Sequence, residues 1–148
     1  MSGNEMKYIE EAFADNWVVP LGPNVNGFEA DLEQFVGEGK HVVALSAGTA
    51  AVHLALIALG VGPGDEVIVP AYTYTATASV VHHVGAKIVM VDVAPDTFAM
   101  DYDRMAEAIT ERTKVVMPVD LGGVMCNYDR VFAAVESKRG LFHPANDI

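Results

Sequence analysis

The sequence predicts an α/β fold, a mainly parallel sheet with flanking helices. Three observations carry this. Four short apolar runs rich in β-branched residues fall at 42–46, 66–69, 87–93 and 114–119. Between them lie longer stretches with apolar residues at helical spacing. Glycine- or proline-containing turns punctuate most of the junctions. Alternating strand and helix gives right-handed βαβ units and a parallel sheet. At 148 residues the chain has room for one α/β domain with a sizeable core.

Residues 1–16 mix polar and apolar positions and suit a short helix. Residues 17–27 hold two prolines and two glycines and read as an ordered loop anchored by Trp17. Phe28, Leu32, Phe35 and Val36 form a helical stripe. The expected division is therefore an arm and loop over 1–27 and an α/β domain over 28–148. The first apolar run suits a strand buried on both faces. It stops at Ser46-Ala47-Gly48-Thr49, and 49–59 is apolar nearly all round, as in a buried helix. Gly60-Val61-Gly62-Pro63-Gly64-Asp65 ends that helix. The second strand follows and stops at Pro70. Tyr72 and Tyr74 come next, interleaved with threonines, and a second helix covers 77–84. Gly85 closes it, and 87–93 reads as a third buried strand. Pro95-Asp96-Thr97 is a turn, and Asp101 is an N-cap for a helix over 102–109. The fourth strand, 114–119, ends at Asp120-Leu121-Gly122-Gly123. Val131, Phe132 and Val135 mark a last helix over 128–137.

Composition narrows the partners. Twenty acidic and nine basic residues give a formal charge of −11. That argues against nucleic acid or an anionic membrane surface. Cys126 is the single cysteine, so no internal disulfide forms. No charged segment followed by an apolar core opens the chain, and no apolar run is long enough for a bilayer. A soluble cytoplasmic protein is expected. His82 and His83 are adjacent on a helix and face apart, a poor metal pair. His53 stands alone on an apolar helix. The histidines read as structural, and no metal is expected.

A strand that feeds a small-residue turn and then a helix start suits a phosphate. Backbone N–H groups and the helix dipole converge there, and the Ser46 and Thr49 hydroxyls add donors. The Tyr72–Tyr74 turn lies at the same kind of strand end, where open sheets bind ligands. Phosphate beside an aromatic fits a phosphorylated ring cofactor. The tyrosines equally fit as cover for the sheet edge. A dinucleotide site fits poorly: the turn is not Gly-x-Gly-x-x-Gly, and no acidic residue ends the second strand.

Several motifs occur together in order: Pro20-Leu21-Gly22-Pro23 with Phe28-Glu29, Ser46-Ala47-Gly48-Thr49-Ala50-Ala51, and the run from Gly62 through Pro70. Tyr72-Thr73-Tyr74-Thr75-Ala76-Thr77, Gly85-Ala86, Val91-Asp92-Val93 and Ile109-Thr110 before Arg112-Thr113-Lys114 follow. Over residues 17–123 the sequence resembles the N-terminal part of the DegT/StrS-type sugar aminotransferases, pyridoxal-phosphate enzymes of fold type I. The resemblance implies the first part of an aspartate-aminotransferase-like large domain, truncated on its C-terminal side. It implies pyridoxal 5'-phosphate (PLP) as cofactor, with Gly48 and Thr49 on the phosphate, Tyr74 stacked on the ring and Tyr72 packed beneath. It implies a homodimer in which the N-terminal arm reaches the active site. The implied reaction moves an amino group from an amino-acid donor, glutamate, to a nucleotide-linked keto sugar for cell-surface polysaccharide or secondary-metabolite sugars. A PLP-dependent sugar dehydratase of the same fold, or a catalytically incomplete relative, shares these motifs. The family's Schiff-base lysine and pyridine-nitrogen aspartate are expected beyond Ile148. None of Lys7, Lys40, Lys87, Lys114 or Lys138 stands in the family's Ser-x-x-x-x-Lys context. Asp120 replaces a histidine common in the family.

Overall fold

The computed structural model describes residues 2–144. They divide between two compact units, Met1–Ser46 and Ala47–Ile148.

The first unit holds two helices, α1 (Glu5–Ala14) and α2 (Pro23–Val36). Neither buries a residue. Met6, Ile9 and Phe13 form an apolar stripe on α1 and stay exposed. The expected loop over 17–27 is shorter than read, because α2 begins at Pro23. Proline presets the helical φ and needs no N–H at a first turn, and Gly22 takes the φ of 129° before it.

The expected strand at 42–46 does not form. Residues 41–45 join no ladder among the described residues. Their outward N–H groups go elsewhere. Val42 N–H donates to Glu33 Oε1 at 3.0 Å and Ala44 N–H to Glu29 Oε1 at 2.7 Å. Glu29 and Glu33 lie about one turn apart on α2, on the same side of the helix. Two glutamates four apart on α2 therefore match two alternate amides.

The second unit is a three-layer α/β/α arrangement. Its strands are β1 (Glu66–Pro70), β2 (Lys87–Val91) and β3 (Thr113–Val116), in the order β2-β1-β3, all parallel. Helices α3 (Gly48–Ala58) and α4 (Ala76–His83) cover one face. Helices α5 (Tyr102–Ala108) and α6 (Tyr128–Ser137) cover the other. β1 is fully buried. Val67 and Val69 meet Leu56, Val80 and Val81 on one side, while Ile68 meets Val91, Met100, Met105 and Val131 on the other. Alternate side chains of a central strand point to opposite faces, so both faces demand apolar residues.

The Asp101 cap falls where the sequence places it, and Asn127 supplies a second cap that the sequence reading did not name. Asp101 accepts from the N–H groups of Asp103 and Arg104, and Asn127 accepts from that of Arg130. Two elements are less buried than expected. α3 buries Leu56 while Leu54, Ile57 and Leu59 stay exposed. β2 is an edge strand that stops at Val91 and leaves Met90 exposed. Val93 instead forms an antiparallel bridge with Met100, folding the chain back around the turn at residues 95–97. The rings of His53 and His83 meet at 5.5 Å between α3 and α4. No helix of the described residues is long and apolar enough to cross a membrane.

A carboxylate ties the amino end of the sheet together. Glu66 is 2% exposed yet stands at the start of β1. Its carboxylate accepts from Lys87 Nζ at 2.9 Å, Arg112 Nη2 at 2.9 Å and Thr110 Oγ1 at 2.7 Å. These partners precede or begin the two flanking strands. The Thr110 hydroxyl, with Lys87 and Arg112, holds the Glu66 pKa down at about 2.

Candidate functional site

The candidate site lies at the carboxyl edge of the sheet. α4 crosses from the carboxyl end of β1 to the amino end of β2, so it begins at that edge. α3 ends in a short turn that leads into the amino end of β1, and it packs along α4. The His53–His83 contact lies about 7 Å along α3 from Gly48 and about 10 Å along α4 from Ala76. Both helix starts therefore face the same edge. This brings the Gly48–Thr49 turn and Tyr74 to one end of the unit.

The start of α3 is open. Ala47 occupies the cap position in an extended conformation, and no side chain caps the helix. The first N–H groups of a helix have no partner within it, and this end carries the positive pole of the dipole. A Cβ built at Gly48 would meet nothing within 4 Å, so backbone can approach a ligand there. Thr49 is exposed beside it. Tyr74 is 77% exposed, its ring free to stack. The turn that carries it is held by Thr77 N–H donating to the Tyr74 carbonyl at 3.1 Å and by the Thr73 and Thr77 hydroxyls at 2.9 Å. This donor set fits a phosphate ester attached to a flat ring. The Tyr72 ring packs on Phe98, with centroids 5.4 Å apart.

No lysine of the second unit reaches this edge. Lys87 is engaged with Glu66 at the opposite one. Lys114 sits near the start of β3 and donates to the carbonyls of Glu111 and His143. Lys138 follows the last turn of α6. An apolar hollow of about 290 Å³ beside β3, lined by Ile109, Val116, Val135, Leu141 and Phe142, is also separate from the carboxyl edge. Among the described residues, no three His, Cys, Asp or Glu side chains cluster as a metal site.

Asp120 serves a local purpose that sequence reading left open. It accepts from Cys126 N–H at 2.8 Å and from the Tyr128 hydroxyl at 3.1 Å, closing the loop after β3. The Cys126 N–H, chiefly, holds the Asp120 carboxyl below its ordinary pKa. Burial, then the Asp120 charge, raises the Cys126 thiol and the Tyr128 phenol. The Cys126 thiol donates to the Val119 carbonyl at 3.1 Å. The Phe98 contact was also missed in the sequence, since nothing local marks a left-handed phenylalanine.

The chain matches the DegT/DnrJ/EryC1/StrS aminotransferase family over residues 1–142. It is 44% identical over 131 residues to a GDP-perosamine synthase of Caulobacter vibrioides, covering 88% of this chain and 35% of the relative. It is 46% identical over 121 residues to a UDP-2-acetamido-2-deoxy-3-oxo-D-glucuronate aminotransferase of Pseudomonas aeruginosa, covering 82% of this chain and 33% of the relative. Its fold superposes on Spr1654 of Streptococcus pneumoniae, assigned as a sugar aminotransferase and solved in its PMP-form. The TM-score is 0.92 at 46% identity, over 99% of this chain and 36% of that one. The chain thus spans about a third of the length of the curated relatives it matches. On this agreement of motif, fold and sequence, the chain belongs to the DegT/DnrJ/EryC1/StrS aminotransferase family.

Proposed function

We propose that the protein acts as a PLP-dependent aminotransferase on a nucleotide-linked keto sugar, with an amino acid, glutamate, as donor. Its product enters cell-surface polysaccharide or a secondary-metabolite sugar, and the enzyme works in the cytoplasm. The observation that carries the reading is the superposition on a sugar aminotransferase relative at TM-score 0.92 over 99% of this chain. In this reading, residues 28–148 are the first part of the large PLP-binding domain and 1–27 its arm. The lysine and aspartate that complete the catalytic set belong outside these residues.

PLP, when bound, supplies a ring that withdraws electrons from the carbon bearing the amino group. The residues of this chain do the holding. The Gly48 and Thr49 N–H groups and the Thr49 hydroxyl donate to the phosphate, whose two negative charges suit the α3 terminus. Tyr74 stacks on the ring and fixes its plane. Replacing Thr49 with Val keeps the volume and removes one donor. The dissociation constant for PLP, read by absorbance titration, is expected to rise about tenfold, roughly 1.4 kcal/mol. Tyr74→Ala is expected to weaken binding as well and to shift the cofactor's absorbance band. Parent-like binding by both variants would place the site elsewhere.

The reading includes a homodimer. Exposed apolar side chains on α1 and α3 support it, since such faces call for cover. Light scattering at micromolar concentration with PLP present is expected to give twice the subunit mass. A monomeric mass under those conditions would count against the dimer.

A further inference from the structure

We propose that Tyr72 and Phe98 form a stacking platform for the nucleobase of the substrate, an inference that rests on the nucleotide-sugar reading above. Phe98 has a φ of +56°. A bulky side chain in the left-handed region costs about 1–2 kcal/mol. The turn enforces the conformation: Phe98 N–H donates to the Ala94 carbonyl at 3.0 Å, and Ala94 N–H to that of Ala99 at 2.9 Å. The bridge between Val93 and buried Met100 anchors its base. A glycine would make the same turn without strain, so the turn alone does not account for an aromatic residue.

What Phe98 adds is a ring. It meets the Tyr72 ring at 5.4 Å and 41°. Among the described residues the pair seals no core, because Tyr72 is 57% and Phe98 54% exposed. The two rings stand beyond the carboxyl ends of neighbouring parallel strands, where Pro70 pairs with Val91. Ligands of open sheets bind on that side. Tyr72 is two residues from Tyr74, so the platform borders the proposed cofactor site. Stacking on exposed aromatic faces suits a flat base and tolerates purine or pyrimidine alike. Asp92 and Asp96 in the adjoining turn do not favour a phosphate. The platform therefore takes the base, and the diphosphate lies away from it.

Saturation-transfer NMR with uridine diphosphate and guanosine diphosphate tests this, with ribose 5-phosphate as the probe lacking a base. In the parent protein, saturation is expected to reach the base protons more strongly than the ribose protons. Phe98→Gly removes the ring and relieves the strained φ, so its melting temperature should match or exceed the parent's. Phe98→Leu keeps apolar bulk without a π-face. Both variants are expected to raise the dissociation constant about tenfold. Absent base signals in the parent, parent-like affinity in Phe98→Leu, or equal binding of ribose 5-phosphate would each overturn the platform. Normal PLP titration without base signals rejects the platform and leaves the cofactor reading standing. Base signals without PLP binding do the reverse.

Discussion

Ile68→Ala is expected to lower the free energy of unfolding by about 3–4 kcal/mol. Ile68 is fully buried at the centre of β1, the middle strand of the sheet. Its side chain fills the layer between the sheet and α5 and α6, against Val91, Met100, Met105 and Val131. Truncation removes transfer free energy and leaves a hole. The strand cannot shift to fill it, because its opposite face is packed against Leu56, Val80 and Val81. Urea unfolding followed by circular dichroism reads the change. A loss under 1 kcal/mol would show that this layer can collapse and that β1 is not pinned from both sides.

Glu66→Gln is expected to cost about 3 kcal/mol at neutral pH, and this cost should disappear in acid. Folding moves the Glu66 pKa from 4.5 to about 2. A downward shift means the folded state favours the charged form. The carboxylate's contribution is therefore complete above pH 4.5 and is lost as pH falls toward 2. A shift of that size is worth about 3 kcal/mol by linkage. Lys87 and Arg112 are mostly exposed and regain water when the charge is removed, which keeps the cost below that of a wholly buried pair. Parent and variant unfolding free energies should converge between pH 4.5 and 2. A difference that stays constant across that window would remove the ion-paired carboxylate from the account.

Local sequence signals are enough to set the alternation of elements. β1, α4, α5 and α6 were legible from apolar spacing, and several of their ends from Pro70, Gly85 and Asp101. These signals are local: φ preference, capping and periodicity act within a few residues. The Gly48–Thr49 helix start was legible from its small residues and Tyr74 from the turn after β1, although the strand read ahead of Gly48 does not form. Their placement at one sheet edge was not, because it follows from how α3 lies along α4.

Tertiary structure decided the rest. Residues 42–46 carry a strand's composition, but a strand exists only where a second chain segment completes the ladder. Here α2 carboxylates take the amides instead. Glu66 reads as an ordinary polar residue at a strand start, yet its partners lie 21, 44 and 46 positions away. Sheet order β2-β1-β3 is what carries them to one carboxylate. β2 has the apolar run of an interior strand but takes an edge, so Met90 faces out. Phe98 owes its left-handed φ to the closed turn around it and its neighbour to the pairing of β1 with β2. Local chemistry chooses the elements, and contacts between distant residues choose which of them meet.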